Sequence, residues 1–448
     1  MSFETLSDFT LGNDAFPESA LKMAAILLVD TLGVAAGATH LDAGKIARNH
    51  AVRFHAAGKA EDAAPILFDG RKASIPGASY AAATQIDNLD AHDGYNPTKG
   101  HIGCAVVPAL IAFGHHCPGL SARDALKALV VSYEVGARAG IALHATVDDY
   151  HTSGAWNALG VAALGCRLRK SSPGHFYQAL GIAEYHGPRS QMMREIANPT
   201  MLHDGSGMGA FTGTMAVLLA EEGFEGAPAI TVTEDAVAGI WSDLGTNWTI
   251  EKNYIKPYPI CRWAHAAIDA LDALVKSHGF AASDVAAIKV RTFDEAAALF
   301  PGMPSSTSQA QYSAQFALAA YMVHGRIGPE HIQGEGLRDQ AVADVLQRID
   351  IDVDDRHSRR FPENRWSDVT VELNNGSILK SGDIHARGGP EAPMTEAEIR
   401  EKFQTMTPVL DADRQTALWS MTDRLLDPEG PFSDLIDLVI APVEAGDG

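Results

Sequence analysis

Residues 87–103, Asp87-Asn88-Leu89-Asp90-Ala91-His92-Asp93-Gly94-Tyr95-Asn96-Pro97-Thr98-Lys99-Gly100-His101-Ile102-Gly103, gather three carboxylates, two imidazoles, a lysine and three glycines into one run. Long apolar stretches of helical spacing flank it. Burying ionisable groups without partners costs stability, and helix connections usually need only about two to eight residues. Such a run is either a solvated surface loop or the floor of an active site. Gly100 to Gly103 also lead into a helix that starts near Cys104. The free N–H groups of a helix N-terminus favour a carboxylate ligand. His101 beside it is either a proton-handling group or a capping or core histidine.

Three further clusters carry reactive side chains. Tyr150-His151-Thr152-Ser153-Gly154 precedes a helix, which its hydroxyls could simply cap. From His186 to Gly209 come Arg189, Arg194 and then Thr200-Met201-Leu202-His203-Asp204-Gly205-Ser206-Gly207. Two arginines, a histidine and a glycine-rich turn suit a carboxylate or phosphate. The turn lacks the GK[ST] ending of a Walker loop and follows no strand, so it is not read as a dinucleotide fingerprint. The last cluster is Lys256-Pro257-Tyr258-Pro259-Ile260-Cys261-Arg262-Trp263-Ala264-His265. Its prolines set an extended path into a helix near Ala264, with His265 in the first turn, where the helix dipole favours a neutral, basic imidazole. A plain helix start after a domain linker is the alternative. No HExxH or GxSxG motif occurs. The expected chemistry is acid–base work by His, Asp and Lys, with no metal and no cofactor.

Residues 17–38, 104–115, 122–144, 154–169 and 209–222 are Ala-, Leu- and Val-rich at helical spacing. In the first of these, Leu21, Ala24, Ala25, Leu28, Val29, Leu32 and Ala35 fall on one face, and Gly33 and Gly37 permit close helix contact. After about residue 245 the character changes. Ile288 to Phe293 and Asp368 to Leu373 alternate like strands, the second entering a turn at Asn374-Asn375-Gly376. Residues 314–323 and 337–347 read as helices, as does the acidic tail from Met394, which is expected to pack back on the first domain. The fold expected is mainly α: a large all-helical domain over 1–250, completed by 390–448, and a smaller α+β lid domain over 255–385.

A chain of 448 residues is too long for a single core. With 46% hydrophobic and 20% charged residues it is globular, and its net charge of −21 argues against nucleic acid and anionic membrane surfaces as partners. A small anionic substrate then needs a locally positive pocket. Cys104, Cys117, Cys166 and Cys261 show no metal-cluster spacing and read as free thiols of a reducing compartment. The N-terminus shows no signal peptide, and no apolar run is judged to reach the roughly 18 residues of a membrane span. A soluble cytoplasmic protein is expected.

Four segments resemble the MmgE/PrpD family, whose members include 2-methylcitrate dehydratase, cis-aconitate decarboxylase and iminodisuccinate epimerase. Val29-Asp30-Thr31-Leu32-Gly33-Val34 resembles its "DTLGV" helix, and Asp90 to Gly103 its Asp-rich segment ending in His-x-Gly. Lys256 to His265 is similar to "KPYPxCxxxH", and Glu391-Ala392-Pro393-Met394-Thr395 to its C-terminal "NPMT/S" turn. The resemblance covers nearly the whole chain and keeps the family's order. It implies a homodimer with a site between helical body and lid, catalytic roles for Asp93, His101 and His265, and His151 in the pocket. Two positions depart: Thr200 stands at the family's usual lysine, and Asp90-Ala91-His92-Asp93 replaces "DxDD". The chemistry implied is proton removal beside a carboxylate. His265 or His101 is the expected base, oriented or charged through Asp93, and His151 or His203 the second acid. Lys99, Arg262 and the helix end after His101 are expected to hold carboxylates, with Asp90, Arg189, Arg194 and Lys256 as further binding residues. A dehydratase-type lyase of a small di- or tricarboxylate leads. An epimerase of an imino- or amino-dicarboxylate is the alternative, and a non-catalytic carboxylate binder the third.

Overall fold

The structure is a computed structural model and describes residues 3–12 and 15–443. Its axis is the helix Glu18–Gly37, which starts after Pro17 and is buried on nearly every side rather than along one stripe. The helices Gly103–Gly114, Ala122–Thr146, Glu396–Met406 and Ala412–Arg424 all pack on it. By length and composition this segment, Glu18–His40, could cross a membrane, contrary to the sequence expectation, yet 83% of its apolar window is buried inside the protein. Its small residues explain the crowding. A Cβ at Gly33 would meet the Phe403 ring at 2.6 Å, and one at Gly37 would strike the Met406 carbonyl. The C-terminal helix can therefore lie directly on the axis.

The four other helices expected in the body are present: Gly103–Gly114, Ala122–Thr146, Gly154–Leu168 and Ser206–Glu221. The last starts three residues early because Gly205, at φ 66°, takes the left-handed N-cap. Three helices of more than ten residues went unread. Asp42–Phe54 buries only Ala43, Gly44, Ala47, Arg48 and Ala51, so its inner face carries no large apolar side chain. Ile75–Asp87 opens on Pro76 and Gly77, which look like a loop but suit a first turn capped by Ser74. Pro173–His186 opens the same way after Ser172.

The lid builds a sheet on the helix Arg262–His278. Its central strand Val285–Thr292 runs parallel to Ile349–Val353 and antiparallel to Trp366–Leu373. Trp366–Leu373 turns at Gly376 (φ 84°) into Ile378–Lys380 and also pairs with Ile384–His385. Ile288 and Val290 face the lid core and their neighbours face outward, the alternation expected of a half-buried strand. The predicted 337–347 helix is shorter, Gln340–Leu346, because the Asp339 carboxylate caps it by accepting from Ala341 N–H at 2.8 Å.

The chain returns to the body through Glu396–Met406, opened by a Thr395/Glu398 capping box. Lys402 Nζ lies 2.6 Å from both carboxylate oxygens of Asp30 on the axial helix. Both groups are buried, and burial pushes the Asp30 carboxyl up and the Lys402 amine down against their mutual attraction. Removing one partner strands the other charge, which costs about 3–5 kcal/mol. Lys402→Ala should therefore lower stability by about that amount in urea denaturation, and Asp30→Leu/Lys402→Met should recover most of it. A single variant as stable as the wild type would contradict this pairing.

Candidate active site

Five non-glycine residues have positive φ among the described residues; Asp90 (54°) and Lys99 (54°) line one cavity, and His203 (48°) directly precedes its wall residue Asp204. Such conformations are strained and persist only where the surroundings enforce them. Each of the first two is held from a distant segment. Lys256 Nζ donates to the Asp90 carbonyl at 3.1 Å and forms an ion pair with its carboxylate. The Tyr150 hydroxyl donates to the Lys99 carbonyl. Beside them the chain before the lid pairs with the loop: Tyr254 N–H donates to the Gly94 carbonyl at 2.8 Å and Gly94 N–H returns the bond at 3.0 Å.

The cavity lies between Asp90, Lys99, His101, Tyr150 and Asp204 of the body and Tyr254, Lys256, Cys261, Arg262, Tyr312 and Arg365 toward the lid. Its free volume is about 20 Å³, room for about one water. That volume is smaller than a multi-carbon acid. A larger groove of about 870 Å³ opens nearby, lined by His40, Asn88, Thr200, Ser308 and Arg338. It carries none of the cavity's reactive groups.

Backbone geometry fixes the imidazoles. His101 Nδ1 lies 2.7 Å from the Asp93 carbonyl, and His92 Nδ1 lies 3.3 Å from the same oxygen. A carbonyl only accepts, so each Nδ1 carries its proton and each Nε2 is left with a lone pair. His92 Nε2 faces Asp87 Oδ1 at 3.5 Å. His101 Nε2 faces Asp204 Oδ2 at 3.6 Å, at the cavity wall. The two rings meet edge to face at 4.5 Å. Burial, then Lys256 and His92, holds His101 well below the usual imidazole range. It is therefore a neutral base. Ser153 donates to Asp204 Oδ1 twice, through Oγ–H at 2.6 Å and N–H at 3.1 Å, while its Oγ accepts His101 N–H at 2.9 Å. The hydroxyl thus serves the site instead of capping its helix.

The cations face the same space. Lys99 Nζ sits over the Tyr150 ring at 4.3 Å, and the Arg262 guanidinium over Tyr254 at 4.3 Å. Arg262 donates to the Ala386 and Arg387 carbonyls at 2.9 and 2.5 Å, and Arg365 to the Pro362 carbonyl. Both Nε–H groups remain buried without a partner. Burial lowers Arg262 to about 10, and Arg365 adds repulsion to it and to Lys99. Cations crowded into a buried cavity favour an anionic ligand or transition state.

The other sequence candidates fall elsewhere. The Asp93 carboxyl does not line the cavity. It lies against the Tyr133 hydroxyl and the Gly103 N–H at the helix start, pushed up to about 7 chiefly by burial. The Asp87 carboxylate similarly accepts Ser206 N–H at 3.1 Å. Both helix ends read as substrate anion seats are thus filled by the protein's own acids. His265 is buried behind the cavity. Its Nε2 donates to the Ile260 carbonyl at 2.8 Å and its ring packs on Tyr258, so it braces the turn that projects Cys261 and Arg262. His203 packs under Tyr312 at 5.3 Å, lowered to about 3 chiefly by burial. His151 is buried beside His144, and Tyr150 takes its place on the cavity wall. Arg189 and Arg194 are exposed on the surface, outside the cavity. Thr200, at the departure from the family lysine, lies outside it too, with its hydroxyl donating to Glu195 at 2.9 Å. Asp90, Lys99, His101, Lys256 and Arg262 are brought together. Asp204 and Arg365 join them without having been assigned. Asp204 had one signal, an acid in the turn before a helix, whereas Arg365 had none.

Among the described residues, two groups bring metal-type ligand atoms within 4.8 Å of one another: Asp87, His92 and Cys104, and Asp354, His357 and Asp368. In the first, Cys104 Sγ contacts Ser206 Oγ at 3.1 Å. In the second, Asp368 pairs with Arg291 and Arg356.

The Asp93 carboxyl keeps its proton in the fold at pH values where the unfolded chain releases it. Its contribution to stability is therefore lost as pH rises from about 4 to about 7. Asp93→Asn removes that dependence. Urea unfolding should show the wild type losing stability relative to the variant across this window. A difference that does not change with pH contradicts the assignment.

The fold agrees with comparison to known proteins. The chain matches the MmgE/PrpD N-terminal domain over residues 6–276 and the MmgE/PrpD C-terminal domain over residues 258–426. It is also similar to the cis-aconitate decarboxylase-like protein oryM of Aspergillus oryzae, 23% identical over 392 residues, spanning 76% of this chain and 77% of that protein. The two domain matches together span nearly all of the chain, which therefore belongs to the MmgE/PrpD family.

Proposed function

We propose that this protein is a lyase of the dehydratase type, acting on a small di- or tricarboxylate by removing a proton beside a carboxylate. One observation carries the reading: a neutral imidazole, His101, turns its Nε2 lone pair into a closed cavity ringed by Lys99, Lys256, Arg262 and Arg365. The family membership and the decarboxylase-like relative support the same class.

The unpartnered Nε–H groups of Arg262 and Arg365 hold substrate carboxylates, with Lys99 adding charge. His101 Nε2 takes a proton from the carbon beside one of them. The C–H electron pair moves into that carboxylate as an enediolate, which the surrounding cations stabilise. It then forms the C=C bond as the C–O bond at the next carbon breaks, and the leaving hydroxyl takes the proton held at His101 Nε2 and departs as water, which returns His101 to its neutral state. An epimerase would instead return a proton to the opposite face of the same carbon.

Incubation with a panel of hydroxy-di- and tricarboxylates in heavy water should give an ultraviolet-absorbing alkene. Deuterium exchange without alkene would replace this reading by the epimerase, and neither signal by a binding role. On the substrate found, His101→Gln should lower kcat by about 10²–10⁴-fold. Arg365→Gln should raise KM by about 10–100-fold, the worth of a lost hydrogen bond to a charged group. Unchanged parameters in both variants would end the proposal.

We also propose a homodimer. Phe54, Tyr185, Leu202 and Met208 are exposed on the helices Asp42–Phe54, Pro173–His186 and Ser206–Glu221 and on the turn before the last. Asp42–Phe54 and Ser206–Glu221 both pack on Ile75–Asp87, and Pro173–His186 packs on Ser206–Glu221. A second copy covering this face would also brace the turn that carries His203 and Asp204. Sedimentation should show a dimer that Phe54→Glu/Leu202→Glu converts to monomer. A monomeric wild type would refute the dimer.

A further inference from the structure

We propose that Asp204, clamped by Ser153, is the positioning partner of His101, receiving the substrate proton as a shared Nε2–H···Oδ2 hydrogen bond and passing it to the leaving group. The inference rests on His101 being the base and assigns that base an acid which the family resemblance did not supply.

The geometry leaves no other carboxylate in this place among the described residues. His101 Nδ1 is committed to the Asp93 carbonyl, so only Nε2 can gain a proton. Among those residues Asp204 Oδ2 is the one carboxylate oxygen within ion-pair reach of the ring, at 3.6 Å. The Asp93 carboxyl lies against Tyr133 and Gly103 instead, and that of Asp90 is committed to Lys256. Ser153 fixes Asp204 through Oδ1 with two donors, which turns Oδ2 toward the imidazole. Because the same hydroxyl accepts His101 N–H, one serine sets the backbone of the base and the carboxylate of its partner.

The need for such a partner arises from the charges around His101. Lys256 from the chain before the lid, His92 from its own loop and His203 from the turn beside Asp204 all disfavour a positive imidazole, and the Tyr254 ring packs at 6.4 Å. An imidazolium formed there without an anion would return its proton to the carbanion. Asp204 is itself pushed up to about 6 by burial and by Asp87, so it both compensates the imidazolium and releases a proton again. The proton moves from substrate carbon to Nε2, is held between Nε2 and Oδ2, and leaves on the departing hydroxyl. His101 and Asp204 return to their starting states.

The test combines a spectroscopic readout with kinetics. In protein carrying ¹⁵N-histidine, with His101→Gln assigning the signal, His101 should appear as the Nδ1–H tautomer. Asp204→Asn should lower its titration midpoint further, and Asp204→Glu should restore it. On the substrate found by the panel, Asp204→Asn should cut kcat at least tenfold with KM within about threefold, and move the acid limb of kcat/KM in the same direction as the His101 midpoint. Ser153→Ala keeps the carboxylate and should give a smaller loss, which keeps the proposal testable if Asp204→Asn folds poorly. An unshifted His101 signal in Asp204→Asn, or a kcat unchanged in both variants, overturns it. A shifted signal with no turnover on any carboxylate would leave the pairing standing and remove the lyase reading instead.

Discussion

The buried ion pair between Lys256 and Asp90 is the joint on which the site depends. It connects the reactive loop of the body to the chain that leads into the lid, and both side chains are almost wholly out of water. Burial pushes the Asp90 carboxyl up even though Lys256 pulls the other way, so the pair is no simple gain in stability. Its effect is geometric. Lys256 takes both the carboxylate and the carbonyl of a residue whose backbone is in the left-handed region, and so sets the direction in which the loop presents His92 and His101. The Gly94–Tyr254 backbone pair extends the same seam, and a side chain at Gly94 would press on Tyr254 and on His101 Nδ1.

That seam explains why the loop's polar groups divide into two sets. One set faces inward and is consumed by the fold. The carboxyls of Asp87 and Asp93 fill the N-termini of two helices, where the helix dipole favours a negative group. The Asp93 carbonyl anchors two imidazoles at once. The other set faces the cavity: His101 with its bare Nε2, and Lys99. Arginines from two points of the lid join them while their Nη groups are tied to backbone carbonyls. Tethered guanidiniums cannot swing away to solvent, so the positive field is present before any ligand arrives. Such preorganisation is the larger part of electrostatic catalysis.

The C-terminal return has the same logic at larger scale. Gly33 and Gly37 let the helix Glu396–Met406 lie close on the axial helix, and Lys402 reaches Asp30. The Asp30–Lys402 pair in turn influences the Asp93 carboxyl. The electrostatics beneath the site are thus tied to a segment at the far end of the chain.

Local pattern was enough for much of this. Apolar spacing marked the long helices, alternation marked the lid strands, and Asn374-Asn375-Gly376 marked a hairpin turn, because these arise from 3.6- and 2-residue periods and from the dihedral freedom of glycine. The density of ionisable residues from Asp87 to His101 marked the site. Asp42–Phe54, whose inner face is mostly alanine and glycine, and Ile75–Asp87, which opens on proline, lacked the large apolar side chains or the opening that mark a helix. What only the tertiary structure decided is direction. A sequence names a histidine or an aspartate without stating whether its side chain meets backbone, helix end or cavity. Packing set the Asp93 carboxyl and His265 to work within the fold, left Arg189 and Arg194 on the surface, and brought Asp204 and Arg365 to the cavity. These placements depend on contacts between segments far apart in the chain, and no local spacing encodes them.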